Sequence, residues 1–103
     1  MQIDKKKIER GLKKKGFRAE PASHMYFYFY YKGKQSSIST YTSHGSSKYK
    51  VYGDTLLALM KKQLELDTVQ DLADLIRCPM TEAKYIEILK SKGFLIETSE
   101  PRA

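Results

Sequence analysis

Residues 23–47 read SHMYFYFYYKGKQSSISTYTSHGSS and contain both histidines of the chain. From Met25 to Tyr31 a methionine is followed only by aromatic rings, and Ser36 to Ser43 is almost entirely Ser, Thr and β-branched. Aromatic and β-branched side chains suit a pleated, half-buried surface, and Lys32-Gly33-Lys34 between the two runs supplies a turn. The stretch predicts a β-hairpin. With Lys32-Gly33 as a two-residue loop, Tyr28 faces Ser37, Phe27 faces Ile38, Tyr26 faces Ser39 and His24 faces Tyr41. Met25, Phe27, Phe29 and Ile38 then share one face, which reads as core. His24, Tyr26, Tyr28, Tyr30 and Tyr41 share the other, a row of rings with polar tips that fits contact with a partner.

Ahead of the hairpin, Asp4 is positioned to cap a helix running to about Lys15. Ile8 and Leu12 lie on one face of it, with Lys5, Lys6, Lys7, Arg10, Lys13, Lys14 and Lys15 over most of the rest. Gly16 ends this helix, and Phe17-Arg18-Ala19 reads as a short strand broken by Glu20-Pro21. Beyond the hairpin, Lys48 to Tyr52 reads as extended or irregular. Asp54 is a suitable N-cap for a helix whose Leu56, Leu57, Leu59, Met60 and Leu64 cover the sheet. Val69, Leu72, Ala73 and Ile76 then predict a short helix stopped at Arg77-Cys78-Pro79. Thr81 caps another, running to about Ser91 with Ala83, Ile86 and Leu89 inward and Gly93 just past its end. The order is that of an α+β protein: an antiparallel three-stranded sheet with helices on one face (α-β-β-β-α), followed by a C-terminal helical pair. The expected organisation is a basic unit over residues 1–66, an acidic helical extension over 67–96 packed on it, and a frayed tail over 97–103.

Charge divides along the same line. Residues 1–64 carry 14 Lys and Arg against four acids, a balance of +10, whereas residues 65–103 carry five bases against eight acids, a balance of −3. A strongly basic small unit points to a polyanionic partner, nucleic acid above all. The chain lacks an apolar run long enough to span a membrane, and its lysine-rich start lacks the apolar segment of a signal peptide. A single cysteine, Cys78, cannot form an internal disulfide and is consistent with a reducing compartment, so a cytoplasmic location is expected. Two histidines and one cysteine at these spacings match no zinc pattern, and there is no HExxH, CxxC, GxGxxG, P-loop or GxSxG. Neither a metal nor a nucleotide cofactor is expected.

Four pieces in order resemble the HicA toxins of prokaryotic toxin–antitoxin pairs: Gly16-Phe17-Arg18 after a basic helix, Ala22-Ser23-His24 entering an apolar strand, Thr42-Ser43-His44 ending the next, and Gly53-Asp54-Thr55-Leu56 opening a helix. The resemblance covers about residues 8–66. It implies a fold similar to double-stranded-RNA-binding domains, an mRNA endonuclease activity, and a HicB-like antitoxin protein as partner. In that family a histidine in a Gly-Ser-His motif is needed to cut mRNA, and His24 matches it. Ala22 stands where the family has glycine, Tyr49 and Tyr52 are unusual in the segment before Gly53, and the acidic tail is additional.

The resemblance implies metal-independent cleavage with His24 as general acid/base, a task suited to a side chain that ordinarily titrates near neutral pH. The nearest of Lys32, Lys34, Lys48 and Lys50 is expected to stabilise the phosphoryl charge. His44 and Ser23 are expected to support the site. RNA contacts, to single-stranded mRNA, are expected from Lys5, Lys6, Arg10, Lys13, Lys14, Arg18, Tyr26, Tyr28 and the same four lysines. Two alternatives stand beside this reading. One is a module that binds RNA through its basic and tyrosine-rich surfaces without cutting it. The other is DNA binding by residues 68–93 as a helix-turn-helix, against which Asp71, Asp74, Glu82 and Glu87 set negative charge.

Overall fold

A computed structural model describes residues 1–43, 50–77 and 79–95. Their elements are β1 (Ile3–Asp4), α1 (Lys5–Lys14), β2 (Phe17–Pro21), β3 (Met25–Tyr31), β4 (Lys34–Thr42), β5 (Val51–Tyr52), α2 (Asp54–Gln63), α3 (Val69–Arg77) and α4 (Glu82–Ser91). The chain is α+β, with an antiparallel sheet in the order β2-β3-β4 and a separate two-stranded pair, β1-β5. Among the described residues no helix is long and apolar enough to cross a membrane.

The hairpin forms on the predicted loop. Lys32 and Gly33 both adopt positive φ, 53° and 78°, the conformation that a tight two-residue turn between twisted strands requires, and Tyr31 pairs with Lys34. The register then departs from expectation. Tyr30 pairs with Gln35, but Tyr28 pairs with Ser39, Phe27 with Thr40 and Tyr26 with Tyr41, so β4 carries two more residues than β3 between Tyr28 and Tyr30. Ser36 is the physical reason. Its hydroxyl donates to the Phe29 carbonyl at 2.7 Å and accepts from the Ile38 amide at 3.1 Å, satisfying groups that the irregularity removes from the ladder. A slip of two residues preserves the faces. Phe27, Phe29 and Ile38 are buried as expected, joined by Thr40 and Thr42, and Met25 is half-buried. β2 also runs further than the sequence suggested, through Glu20 and Pro21, since a proline is tolerated at the end of an edge strand.

The helices meet the Phe27/Phe29 side of the sheet. Ile8 and Leu12 of α1 are fully buried. Glu9 accepts from the Thr42 hydroxyl and Gln63 of α2 from the Thr40 hydroxyl, both at 2.6 Å. Three expectations for side chains fail here. Lys15 is buried rather than solvated, its ammonium donating to the Leu75 carbonyl near the end of α3. Leu59 is exposed, because Leu57, Met60 and Leu64 already fill the inward arc of α2 and residue 59 lies about 200° round from residue 57. Asp4 and Asp54 cap nothing: Asp4 stands at the N-cap position without a side-chain bond, and Gly53 holds the N-cap of α2 while Asp54 accepts from the Met1 amine at 2.9 Å. Thr81 does cap α4, accepting from the Lys84 amide at 3.1 Å.

The inward residues of α4 are Tyr85 and Leu89, with Ile86 half-buried and Ala83 exposed. The Tyr85 ring lies 5.9 Å from that of Phe17 and 5.2 Å from that of Phe29, and its hydroxyl donates to the Leu64 carbonyl at 2.8 Å. α3 buries Leu72, Ala73, Leu75 and Ile76 against α1 and α2. At the crossing with α1, a side chain on Gly11 would collide with the Ile76 carbonyl oxygen and crowd its Cγ2 atom. Gly11→Ala gains about 1 kcal/mol of helix propensity but meets backbone that cannot rotate away, and overpacking costs ~1–3 kcal/mol. The expected outcome is a net loss of stability, read as a lower denaturation midpoint with an unchanged m-value; a rise in the midpoint would show that α3 is not held in this position.

Candidate functional site

The face of the sheet opposite the helices carries the tyrosine row. Period-two alternation along β3 sends Tyr26, Tyr28 and Tyr30 to this side, each half-buried by its neighbours, and Tyr41 of β4 joins them as an exposed ring. The rings form a connected strip. His24 lies flat against Tyr41, with centroids 4.7 Å apart and planes 29° apart, and edge-on to Tyr26 at 5.9 Å. Tyr26 contacts Tyr41 at 5.7 Å and stacks with Tyr28 at 6.3 Å. Tyr30 lies two residues further along β3 on the same face, and the Arg18 guanidinium sits over it, 4.0 Å from the ring centroid. Offset and tilted contacts of this kind hold rings in place while leaving faces open to a flat ligand.

His24 stands at the start of β3, where the chain turns back from β2. The Ala22 amide donates to the His24 carbonyl at 2.8 Å, closing a tight reversal at Ser23 that lifts both side chains into solvent. Glu20 pairs with Tyr26 and so lies on the same face, and His24 is the residue two before Tyr26, just ahead of the paired stretch. It is the only acid in the three strands. Sequence reading passed it over as a pattern breaker, although continuing the alternation of β2 through Pro21 would have placed it on the tyrosine face.

Of the four lysines offered as partners of His24, two stand far from it. Lys32 and Lys34 flank the hairpin turn, at the far end of β3 and on the order of 20–25 Å from His24 along the strand, so they are not partners for it. Lys32 lies instead over the Tyr31 ring, at 5.5 Å. His44 and Lys48 lie outside the described residues. The other end of the sheet carries Lys5, whose ammonium donates to the Ser43 carbonyl at 3.2 Å and whose amide donates to the Lys50 carbonyl at 2.8 Å. Ser43 follows Thr42, the partner of Met25, so Lys5 and the exposed Lys50 are at the histidine's end. Tyr52 fixes that end, its buried hydroxyl accepting from the Ser43 amide at 3.0 Å. Lys6, Arg10, Lys13 and Lys14 are exposed on α1, in the other layer of the molecule. Among the described residues no three His, Cys, Asp or Glu side chains come together as a metal site.

Comparison of the chain with protein-family models, with curated proteins and with solved structures finds no match. What the geometry defines is an α+β protein with an open, tyrosine-lined sheet face bordered by a histidine, a carboxylate and an arginine.

Proposed function

We propose that this chain is an RNA-binding protein of the HicA-like kind, in which the tyrosine face holds unpaired bases and His24 helps to cut the strand. The observation that carries the reading is the row of touching rings His24, Tyr41, Tyr26 and Tyr28, with Tyr30 and Arg18 beyond it on the same face. Every base has a π-face, so a row of rings takes successive bases irrespective of sequence, and Arg18 adds a cation beside them. The order of α1, the three-stranded sheet β2-β3-β4 and α2, with the short β5 between β4 and α2, supports a likeness to double-stranded-RNA-binding domains.

Cleavage on this surface uses the RNA's own 2′-OH. One group removes its proton, the resulting oxyanion attacks the adjacent phosphorus, and the bond to the 5′-oxygen breaks as a second group returns a proton to it. The products are a 2′,3′-cyclic phosphate and a free 5′-OH. His24 is one of these groups, and Glu20, across Tyr26 from it, is the second. Lys5 and Lys50, at the same end of the sheet, supply positive charge to the phosphoryl oxygens. A HicB-like antitoxin would restrain such an activity by covering this face. The flat packing of His24 on Tyr41 favours a second reading, in which the histidine is one more stacking ring and the protein binds RNA without cutting it.

Purified protein incubated with a long single-stranded RNA, with and without EDTA, separates the two. Chelator-resistant cleavage is the expected result, and binding without cleavage establishes the second reading. The stacking surface itself is tested by Tyr28→Ala, which removes a ring from the middle of the strip. The expected loss is ~1–3 kcal/mol in affinity for single-stranded RNA, measured by fluorescence anisotropy; an unchanged dissociation constant would take the bases off this face.

A further inference from the structure

A groove of about 310 Å³ runs between α1 and α3, lined by Lys7, Arg10, Gly11, Lys14, Ile76 and Arg77. It lies in the helical layer, away from the tyrosine strip. Lys7, Arg10 and Lys14 recur at i, i+3 and i+7 along one stripe of α1, and Arg77, the only base in α3, projects from that helix's last turn. None of these four cations forms an ion pair or hydrogen bond among the described residues, and all four are exposed. Of the acids nearest in sequence, Asp74 alone shares a stripe with Arg77, three residues before it. Glu9 is held by Thr42, Asp74 accepts from Gln70 at 2.9 Å, and Asp71 lies in the first turn of α3, at the opposite end from Arg77. The partial negative charge at the end of α3 is also offset, since Lys15 donates to the Leu75 carbonyl. Four like charges gathered round one concavity repel one another, and a bound polyanion removes that cost.

Lys7 to Lys14 spans about 10 Å of helix, a reach that sets several cations along one extended polyanionic strand rather than round a single small anion. Ile76 gives the floor an apolar patch suited to a sugar, and Arg77 offers a planar fork suited to a phosphate. We propose that the α1–α3 groove is a second nucleic-acid contact, gripping the phosphodiester backbone of RNA, and that the C-terminal extension supplies Arg77 to complete it. This deepens the RNA reading above and rests on it. The extension, acidic in sum, thereby adds to the binding surface at this one point.

The test compares wild type with Arg77→Gln and Lys7→Gln for binding of a short oligouridine by fluorescence anisotropy across a salt series, with tripolyphosphate binding followed by calorimetry. Both substitutions are at exposed positions, and unchanged thermal melts verify that each variant is folded. Each is expected to weaken oligouridine binding several-fold and to lower the slope of log K against log salt by about 0.7, one phosphate contact in a single strand. Wild-type affinity and slope in both variants would overturn the proposal. So would poly-glutamate binding as tight as oligouridine and equally dependent on Arg77, since the groove would then be a general anion patch. Should wild type bind no oligouridine, the RNA reading fails on its own. Tripolyphosphate bound by wild type and lost in Arg77→Gln would then uphold the groove as a phosphate site, whereas no tripolyphosphate binding would overturn that as well.

Discussion

Replacing His24 by alanine is expected to slow RNA cleavage by about 10²–10⁴, or ~3–5 kcal/mol of activation free energy, which is the usual contribution of a positioned acid/base. The fold should not register the change, because the side chain is exposed and its contacts are to the rings of Tyr41 and Tyr26. Affinity should fall much less than rate, since one ring of a strip is lost while the phosphate contacts remain. Glu20→Gln serves as the second arm. It keeps the size and hydrogen-bonding reach of the side chain but cannot exchange a proton, so a drop in rate at unchanged affinity would assign it to the chemistry, and a wild-type rate would leave His24 without this partner. The binding-only reading makes the opposite forecast for His24→Ala: weaker binding, with no activity to lose. Cleavage that continues at the wild-type rate in His24→Ala would remove the histidine from the mechanism altogether.

The sheet was legible because its signals are local. Aromatic and β-branched runs mark the strands, Gly33 marks the turn, and period two sorts Phe27 and Phe29 from Tyr26 and Tyr28. The irregularity in β4 was not legible, since it depends on whether the Ser36 hydroxyl reaches the Phe29 carbonyl, a contact that exists only once the hairpin has formed. Of the four lysines offered as partners of His24, Lys32 and Lys34 fall away for a geometric reason: nearness in sequence to a hairpin turn means distance from the strand ends. Glu20 and the α1–α3 groove depend on pairings between elements, the first on how far β2 extends and the second on where Arg77 of the acidic tail comes to rest. Tyr85 was missed on α4 because Ala83, Ile86 and Leu89 gave the more apolar stripe, and a tyrosine belongs in a core only if its hydroxyl finds an acceptor.

That acceptor makes Tyr85 the residue whose loss should cost the fold most. Tyr85→Ala is expected to destabilise the protein by ~3–5 kcal/mol, the range for removing a large aromatic side chain from a core. The ring joins α4 to Phe17 and Phe29 of the sheet, and the hydroxyl joins it to Leu64 just past the end of α2. Tyr85→Phe separates the two roles. It keeps the packing but leaves the buried Leu64 carbonyl without this donor, at ~1–3 kcal/mol. The two variants should therefore fall in order below wild type in urea midpoint. Alkali provides an independent readout. Burial, with the charge of Glu65 adding to it, pushes the Tyr85 phenol well above the ordinary tyrosine range. The folded state thus favours the protonated form, so the stability it supplies is complete below about pH 10, where unfolded tyrosine titrates, and is lost as pH rises above that value. Wild type should lose stability more steeply than Tyr85→Phe above pH 10, with parallel curves below it. Were Tyr85→Ala as stable as wild type, or its unfolding to split into two transitions with the sheet outlasting the C-terminal helices, α3 and α4 would not form one cooperative unit with the basic part of the chain.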